Sequence, residues 1–183
     1  LQEAQARGLR SGALFFRCHP ATVLAPGARV PLITTADERG ALLREMGIDY
    51  AIPITFDLEV SHLSARQFVE LLQRHLRMKG LVVGPDFALG HQREGTVERL
   101  RVLGREMGFT VEVVPPLALG ADVVSSTAIR HALAAGDVRG AARMLGRPYS
   151  LTGQVVRGER RGMALGFPTA NVAFDPERAL PAD

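Results

Sequence analysis

The chain has 183 residues, of which 46% are hydrophobic and 22% are charged, and its formal net charge is +3. This composition is typical of a globular protein with one full domain and part of another, and the mild, dispersed charge argues against a nucleic-acid partner. The single cysteine, Cys18, excludes an internal disulfide and a cysteine-rich zinc site. No apolar run is long enough to span a bilayer, so we expect a cytoplasmic protein without a membrane partner.

The first residues of the chain have the pattern of the second part of a helix. Residues 1–8 have the pattern of a helix end that stops at a glycine, with no helix start before it. The apolar run 13–18 then predicts a buried strand that delivers His19 at its end. At the other end, residues 180–183 follow a strand-like segment directly. We interpret both ends as cuts through a longer protein.

Three helix–strand units follow in order. The helices begin at the capping boxes Thr35-x-x-Glu38 and Ser64-x-x-Gln67, and at Thr96. The strands after them are predicted at 50–54, 81–83 and 109–114, with Gly80 expected to end the second helix. This alternation predicts an α/β fold whose parallel sheet is covered on both faces, and ligands of such sheets bind beyond the carboxyl ends of the strands.

The pattern changes near residue 147. Two short helices are predicted at 126–135 and 138–145, and Gly146-Arg-Pro148 follows them as a hinge. Beyond the hinge the sequence is β-like and punctuated by glycines. We therefore predict one domain at 1–147 and the start of a second at 148–183.

Two of the predicted strand ends carry candidate functional groups. Asp86 and Phe87 lie between Gly84 and Gly90, in the loop after the strand at 81–83. His19 ends the first strand, where it could contact phosphate or substrate. A structural hydrogen-bonding role for this histidine is an equal alternative.

Hydroxyl side chains mark the start of the helix predicted at 126. Ser125, Ser126 and Thr127 stand together there, and Arg130 follows one turn later. A helix start that combines free N–H groups, hydroxyls and a guanidinium favours a bound phosphate. The alternative is that Ser125 or Ser126 is an ordinary N-cap.

The string Gly166-Phe167-Pro168-Thr169-Ala170-Asn171 is the most informative motif of the chain. Thr169 and Asn171 are two residues apart, so on an extended backbone both side chains emerge on one face and can bind a phosphate oxygen and its Mg²⁺. A short basic turn with Gly158, Arg161 and Gly162 precedes the string. The alternative is that Gly166 and Pro168 only shape the entry of a strand.

Six motifs occur in a fixed order: Phe16-x-x-His19-Pro20, Phe56-Asp57 with Leu63-Ser64-Ala65, Gly84-x-Asp86-Phe87, Val124-Ser-Ser-Thr127-x-Ile-Arg130, Leu145-Gly-Arg-Pro-Tyr149 and Gly166–Asn171. This order resembles the bacterial bifunctional FAD synthetase family, in which an FMN adenylyltransferase domain is joined to a riboflavin kinase domain. The resemblance extends over essentially the whole chain. It implies a nucleotidylyltransferase-type, Rossmann-like parallel-sheet domain followed by the start of a Greek-key β-barrel.

The resemblance also implies roles for the candidate residues. In adenylyl transfer from ATP to FMN, the catalytic groups would be Arg130, Ser126 and Thr127, which would hold the phosphates. Substrate and nucleotide contacts would come from His19, Asp86, Phe87, Ser125, Gly158, Arg161, Gly162, Phe167, Pro168, Thr169 and Asn171. In phosphorylation of riboflavin by ATP, Thr169 and Asn171 would also bind Mg²⁺. ATP, riboflavin and FMN would thus be the small-molecule partners.

Departures from the family leave alternatives open. No His-x-Gly-His string, which holds the ATP phosphates in the family, occurs in the 183 residues, and the kinase pattern stops soon after Asn171. We therefore expect the chain on its own to form neither FMN nor FAD. One alternative is a non-catalytic flavin- or nucleotide-binding module of the same fold, and another is a different nucleotidylyltransferase. A homo-oligomer is also open.

Overall fold

The computed structural model describes residues 1–25, 27–120, 122–158, 166–167 and 169–182. Its helices are α1 (Gln2–Ala6), α2 (Ala21–Leu24), α3 (Ala36–Glu45), α4 (Leu58–His62), α5 (Ala65–Leu76), α6 (Val97–Met107), α7 (Ser126–Ala134) and α8 (Val138–Leu145). Its strands are β1 (Gly12–Phe16), β2 (Tyr50–Ile54), β3 (Gly80–Val83), β4 (Ala88–Leu89), β5 (Gly95–Thr96), β6 (Thr110–Val113), β7 (Ala118–Leu119), β8 (Asp122–Val123), β9 (Gln154–Val156) and β10 (Asn171–Ala173). A 3₁₀ turn covers His91–Arg93.

Both predicted capping boxes are present. At α3 the Thr35 hydroxyl accepts a hydrogen bond from the Glu38 amide, and the Glu38 carboxylate accepts one from the Thr35 amide. Ser64 and Gln67 exchange the same pair of bonds at α5. Each box satisfies two amides that a helix start would otherwise leave unpaired, so these short local patterns define where the helices begin.

The end of α5 differs from the prediction. The helix stops at Leu76 and Arg77 takes a left-handed conformation with φ of +52°. Gly80 is instead the first residue of β3, so the expectation that it ends the helix was wrong. A non-glycine residue rarely adopts this conformation, which is why the sequence did not indicate Arg77 as the helix end.

The parallel strands form two separate pairs. β1 pairs with β2 from Gly12↔Tyr50 to Phe16↔Ile54, and β3 pairs with β6 from Gly80↔Thr110 to Val83↔Val113. The predicted single sheet is therefore corrected to two small parallel sheets in the part of the chain that the structure describes. Hydrophobic periodicity predicts strands and their faces, but it does not specify which edges form hydrogen bonds.

β1 is less buried than predicted. Its residues alternate between exposed and half-buried positions, and the Leu14 side chain is 37% exposed. The buried faces lie elsewhere, in two apolar clusters. One cluster packs α5 against α6 and contains Ala65, Val69, Leu100, Leu103 and Phe109. The other lies under α7 and α8 and contains Ile129, Leu133, Ala141 and Ala179.

The described residues after the predicted hinge behave in two ways. β9 and β10 form an antiparallel ladder in which every residue is exposed. Residues 177–182, in contrast, return to the α7–α8 cluster, where Ala179 is buried and the Ala182 amide donates to Leu133 O at 3.0 Å. Among the described residues, no helix is long and apolar enough to cross a membrane.

Candidate functional site

His19 lies three residues beyond Phe16, the last residue of β1, at the carboxyl end of a parallel strand. Its Nδ1 accepts a hydrogen bond from the Ala21 amide at 3.2 Å, and its carbonyl oxygen accepts one from Thr22 Oγ1 at 2.7 Å. These bonds satisfy groups at the start of α2, so His19 has a structural role in the turn. Because Nδ1 is the acceptor, the neutral ring carries its proton on Nε2, which is the nitrogen left for a ligand.

The start of α7 presents the predicted hydroxyls. Ser125 is the N-cap residue, and its Oγ accepts a hydrogen bond from the Ala128 amide at 3.1 Å. Ser126 and Thr127 occupy the first turn and are exposed. The cap therefore occupies the Ser125 hydroxyl, whereas Ser126 and Thr127 are placed where the positive end of the helix dipole favours an anion.

Arg130 reaches across to the loop before α3. Its Nε donates to Pro31 O at 2.7 Å, and the side chain is half-buried. Burial lowers the pKa of this guanidinium, which nevertheless stays charged at neutral pH. One donor nitrogen is thus used to fix the side chain, and the two terminal nitrogens make no hydrogen bond among the described residues.

Arg39, in the first half of α3, was missed at the sequence level. Its Nη1 donates to Phe16 O at 3.1 Å, its Nε donates to Thr34 Oγ1 at 3.3 Å, and the guanidinium lies 5.5 Å from the centre of the Phe15 ring. The sequence held one signal for it. A cation near the start of a helix is opposed by the helix dipole, so its presence there indicates another use.

The charge of Arg130 acts on two other basic groups, and we call His19, Arg39 and Arg130 the Arg130 cluster. Burial, and then the charge of Arg130, lower the pKa of His19. Burial, and then the same charge, lower the pKa of Arg39. Positive groups gathered in this way create a positive potential at the end of β1, which an anion would relieve.

Asp86 and Phe87 lie in an exposed turn after β3. The Phe87 amide donates to Gly84 O at 3.2 Å, and Arg93 Nη2 donates to Asp86 O at 3.0 Å. The turn leads into the short β4–β5 hairpin, which packs closely against the start of α5. Gly90 allows this close packing, because a Cβ at that position would lie only 2.9 Å from Ala65 Cα. No hydrogen bond recorded among the described residues joins this turn to the Arg130 cluster.

The second candidate site lies on the β9–β10 ladder. Asn171 pairs in register with Val156, and its carboxamide fills the space beside Gly158, where an added Cβ would lie 2.6 Å from Asn171 Cγ. Thr169 precedes β10 and is exposed, as is Phe167 at 77%. Arg161, Gly162 and Pro168 lie outside the described residues, so the structure does not address their predicted roles.

The ladder offers suitable oxygens for a magnesium ion. A threonine hydroxyl and an asparagine carbonyl are hard oxygen ligands, and their exposure leaves room for the waters and phosphate oxygens that Mg²⁺ retains. Gly158 leaves the space beside β10 to the Asn171 carboxamide. Among the described residues, no group of three or more acidic, histidine or cysteine side chains lies close enough together to bind a metal ion.

Comparisons with known proteins agree with the order of motifs. The family model described as FAD synthetase matches residues 1–128, and the model described as riboflavin kinase matches residues 145–183. The bifunctional riboflavin kinase/FMN adenylyltransferase of Escherichia coli strain K12 is 37% identical over 172 residues, which are 93% of this chain and 55% of the relative. The protein of that name from Listeria monocytogenes is 31% identical over 98% of this chain and 57% of its own length.

A solved structure gives the same fold. A crystal structure from Streptococcus pneumoniae, described as a macrolide-efflux protein, superposes with a TM-score of 0.88 at 29% identity, over 100% of this chain and 59% of that one. The chain spans about half the length of the curated relatives it matches. Because the FAD synthetase model covers more than half of the chain and the motifs agree with it, the resemblance is confirmed: the chain belongs to the FAD synthetase family.

Proposed function

We propose that the protein carrying this chain makes flavin cofactors in two steps. It phosphorylates riboflavin with ATP to give FMN, and it then adenylylates FMN with a second ATP to give FAD and pyrophosphate. The relatives named riboflavin kinase/FMN adenylyltransferase support the pair of activities. The observation that carries the proposal for this chain is the Arg130 cluster at the end of β1, next to the hydroxyl-bearing start of α7.

In adenylyl transfer, a phosphate oxygen of FMN attacks the α-phosphorus of ATP. The new P–O bond forms while the bond to the β-phosphate oxygen breaks, and pyrophosphate leaves with the electron pair. Such a transfer needs positioning and charge stabilisation more than covalent help from the protein. Arg130 would bind the leaving phosphates through its terminal nitrogens, and Ser126 and Thr127 would donate hydroxyl hydrogen bonds to them.

The remaining groups of this half orient the substrates. His19 would donate from Nε2 to a phosphate oxygen, while its Nδ1 bond to Ala21 keeps the ring in place. Asp86 and Phe87 would contact the flavin, with Phe87 supplying an aromatic face for stacking. Ser125 would contribute indirectly, because its cap bond fixes the backbone that carries Ser126 and Thr127.

In the kinase reaction, the terminal ribityl hydroxyl of riboflavin attacks the γ-phosphorus of ATP and ADP leaves. Thr169 and Asn171 would hold Mg²⁺, which neutralises charge on the phosphate oxygens when bound. Gly158, Arg161, Gly162, Phe167 and Pro168 would border the nucleotide. We further propose that β9 and β10 belong to a Greek-key barrel, that the domains divide at 147/148, and that the protein works in the cytoplasm, with a homo-oligomer as one option.

The activity test uses the protein expressed from its complete reading frame. Incubation with riboflavin, ATP and Mg²⁺ should yield FMN and then FAD, separated by chromatography, and incubation of FMN with ATP and Mg²⁺, without riboflavin, should yield FAD and pyrophosphate. Reactions without Mg²⁺ should form neither product. Absence of both products under saturating ATP would overturn the proposal.

The same assay separates the alternatives. A non-catalytic module would bind FMN or ATP in calorimetry and leave both unchanged, whereas a different nucleotidylyltransferase would release pyrophosphate with another acceptor and leave riboflavin unphosphorylated. The 183-residue chain by itself should form neither FMN nor FAD, because its sequence contains no His-x-Gly-His string to hold the ATP phosphates in adenylyl transfer and because it spans about half the length of the relatives named for both activities. Rapid FAD synthesis by this chain would contradict that expectation.

A further inference from the structure

Residues 177–179 lie against the loop at 31–35, which we call the α3 entry loop. The Leu32 amide donates to Glu177 O at 2.7 Å, and the Ala179 amide donates to Leu32 O at 2.9 Å. This bridge runs parallel and centres on Arg178. A segment that belongs to the match with riboflavin kinase therefore pairs with a segment that belongs to the match with FAD synthetase.

The Arg178 side chain extends the same contact. It is 5% exposed, it forms an ion pair with Glu38, and its Nη2 donates to Ser150 O at 2.8 Å. The guanidinium also lies 5.8 Å from the centre of the Tyr149 ring, and the Tyr149 hydroxyl donates to Ala179 O at 2.6 Å. Arg178 is thus fixed from several sides. Its ion pair with Glu38 links the segment that matches riboflavin kinase to the segment that matches FAD synthetase.

Glu38 connects this buried arginine to the start of α3. Its Oε2 accepts from the Thr35 amide at 3.0 Å and from Arg178 Nη1. One carboxylate oxygen therefore serves both the capping box and the ion pair. Burial raises the pKa of Glu38, but hydrogen bonds from Thr35, Arg178 and Thr152, together with the Arg178 charge, outweigh burial and leave the pKa below its ordinary value.

The α3 entry loop is also what holds the Arg130 cluster. Pro31 O accepts from Arg130, and Thr34 accepts from Arg39 through both its hydroxyl and its carbonyl oxygen. Leu32 lies between Pro31 and Thr34, and it is the residue that forms backbone hydrogen bonds with residues 177 and 179. The position of two cations of the cluster therefore depends on where the loop is held.

We propose that Arg178 is a positioning residue for adenylyl transfer, which holds the α3 entry loop and thereby sets the spacing of Arg39 and Arg130. The inference rests on the proposed function of the Arg130 cluster as the phosphate site. A buried ion pair is a poor means of gaining stability alone, because apolar residues of similar volume do as well. Arg178 lies beside the α3 entry loop, and that loop contains Pro31 and Thr34, which bind Arg130 and Arg39. We therefore interpret the Arg178–Glu38 ion pair as a contact that positions this loop.

The test replaces Arg178 in the protein expressed from its complete reading frame. Arg178→Met removes the ion pair and keeps an unbranched side chain, so Glu38, which accepts from the Thr35 amide at the end of the α3 entry loop, loses its charged partner. We expect the KM for ATP in FAD formation to rise about tenfold, with a smaller change in kcat, because displaced phosphate contacts weaken ATP binding. Riboflavin phosphorylation should change less than about twofold, since the Arg130 cluster takes no part in it.

Two further variants keep the test decisive. Arg147→Met is the matched control, because Arg147 borders a cavity of about 180 Å³ together with Arg178 and Glu38 but, among the described residues, donates a hydrogen bond to Pro148 O alone, and it should leave both KM values unchanged. Glu38→Gln combined with Arg178→Met removes both charges of the ion pair and keeps the capping box, as Gln67 does at α5. If Arg178→Met alone fails to fold, this double variant should fold and show the same rise in KM for ATP.

The outcomes separate the inference from the proposed function. If the unaltered protein forms no FAD, the proposed function fails, and calorimetric binding of inorganic pyrophosphate then decides the inference: weaker binding by the double variant supports it, and equal binding overturns it. If FAD forms, an unchanged KM for ATP in both variants overturns the inference. Equal loss in both reactions also overturns it, because general destabilisation would then explain the effect.

Discussion

The start of α7 and the β9–β10 ladder receive different support from the rest of the molecule. α7 lies on a cluster in which Leu133 is fully buried, and the side chain of Arg130 is tied to a loop in another part of the chain. The ladder consists of exposed residues, and the Asn171 carboxamide fits against it because Gly158 has no side chain in that space. The first site is therefore fixed by long-range packing and the second by local backbone geometry.

The largest expected effect tests whether that difference in support is real. Leu133→Ala removes a fully buried side chain beneath α7 and should lower the free energy of unfolding by about 3 kcal/mol, because a cavity is added to the lost burial. Val155→Ala on β9, where the side chain is 74% exposed, should change it by less than about 0.5 kcal/mol. Urea unfolding of both variants measures this, and similar losses would contradict the comparison.

A second, smaller effect separates the two reactions. Arg130→Ala removes a guanidinium from the cluster and should lower FAD formation about 100-fold, since a group that stabilises charge during transfer is lost. Riboflavin phosphorylation should be spared. Steady-state rates of the two reactions in the protein expressed from its complete reading frame provide the measurement, and an equal fall in both would point to misfolding.

The complementary substitution acts on the ladder. Gly158→Ala places a methyl group where the Asn171 carboxamide lies, so the carboxamide must move. Riboflavin phosphorylation should fall about tenfold through a higher KM for Mg²⁺-ATP, because a displaced ligand weakens metal binding. FAD formation from supplied FMN should stay unchanged. An equal fall in FAD formation from supplied FMN would contradict the assignment of the effect to the Asn171 carboxamide.

Local patterns were sufficient to predict much of the fold. The capping boxes at Thr35 and Ser64, the cap at Thr96 and the strand Tyr50–Ile54 depend on residues a few positions apart, and all are found where the sequence indicates them. These interactions involve neighbours in the chain, so the sequence carries them directly.

Long-range contacts were not predictable in the same way. Arg39 meets Phe16 O across 23 positions, and Arg178 meets Glu38 across 140. Nothing in the spacing of either arginine identifies its partner, because such pairs depend on how the loops cross after the elements have packed. Motifs located the start of α7 and the Asn171 string, whereas the supporting shell of the first site became visible only in three dimensions.

The smallest expected effect concerns the strand that delivers His19. Ser11, just before β1, donates to Asp49 from its amide and its hydroxyl, each at 2.8 Å. Those backbone and side-chain hydrogen bonds from Ser11 lower the pKa of Asp49. Because the folded pKa lies below the unfolded value of about 3.9, this stabilisation is complete above that pH and is lost as the pH falls through the folded value.

Asp49→Asn should therefore shift the urea midpoint downward at pH 7 and shift it less at pH 3. The exposed Glu112→Gln, on β6, is the control and should give a much smaller difference between the two pH values. An equal shift for Asp49→Asn at both pH values would contradict the assignment of the Ser11 hydrogen bonds as the cause. The ladder of β9 and β10 takes no part in this contact and should be unaffected.

The reach of Arg178 back to Glu38 has a consequence for how the molecule is made. During synthesis on the ribosome, the segment before α3 emerges long before residues 177–179 are available to pair with it. The capping box at Thr35 can form early, but the loop ahead of it must wait for about 140 further residues before its partner arrives. Newly made chains would thus acquire the core around α5 and α6 first, and the Arg130 cluster would take its final shape only after translation has passed the kinase motif.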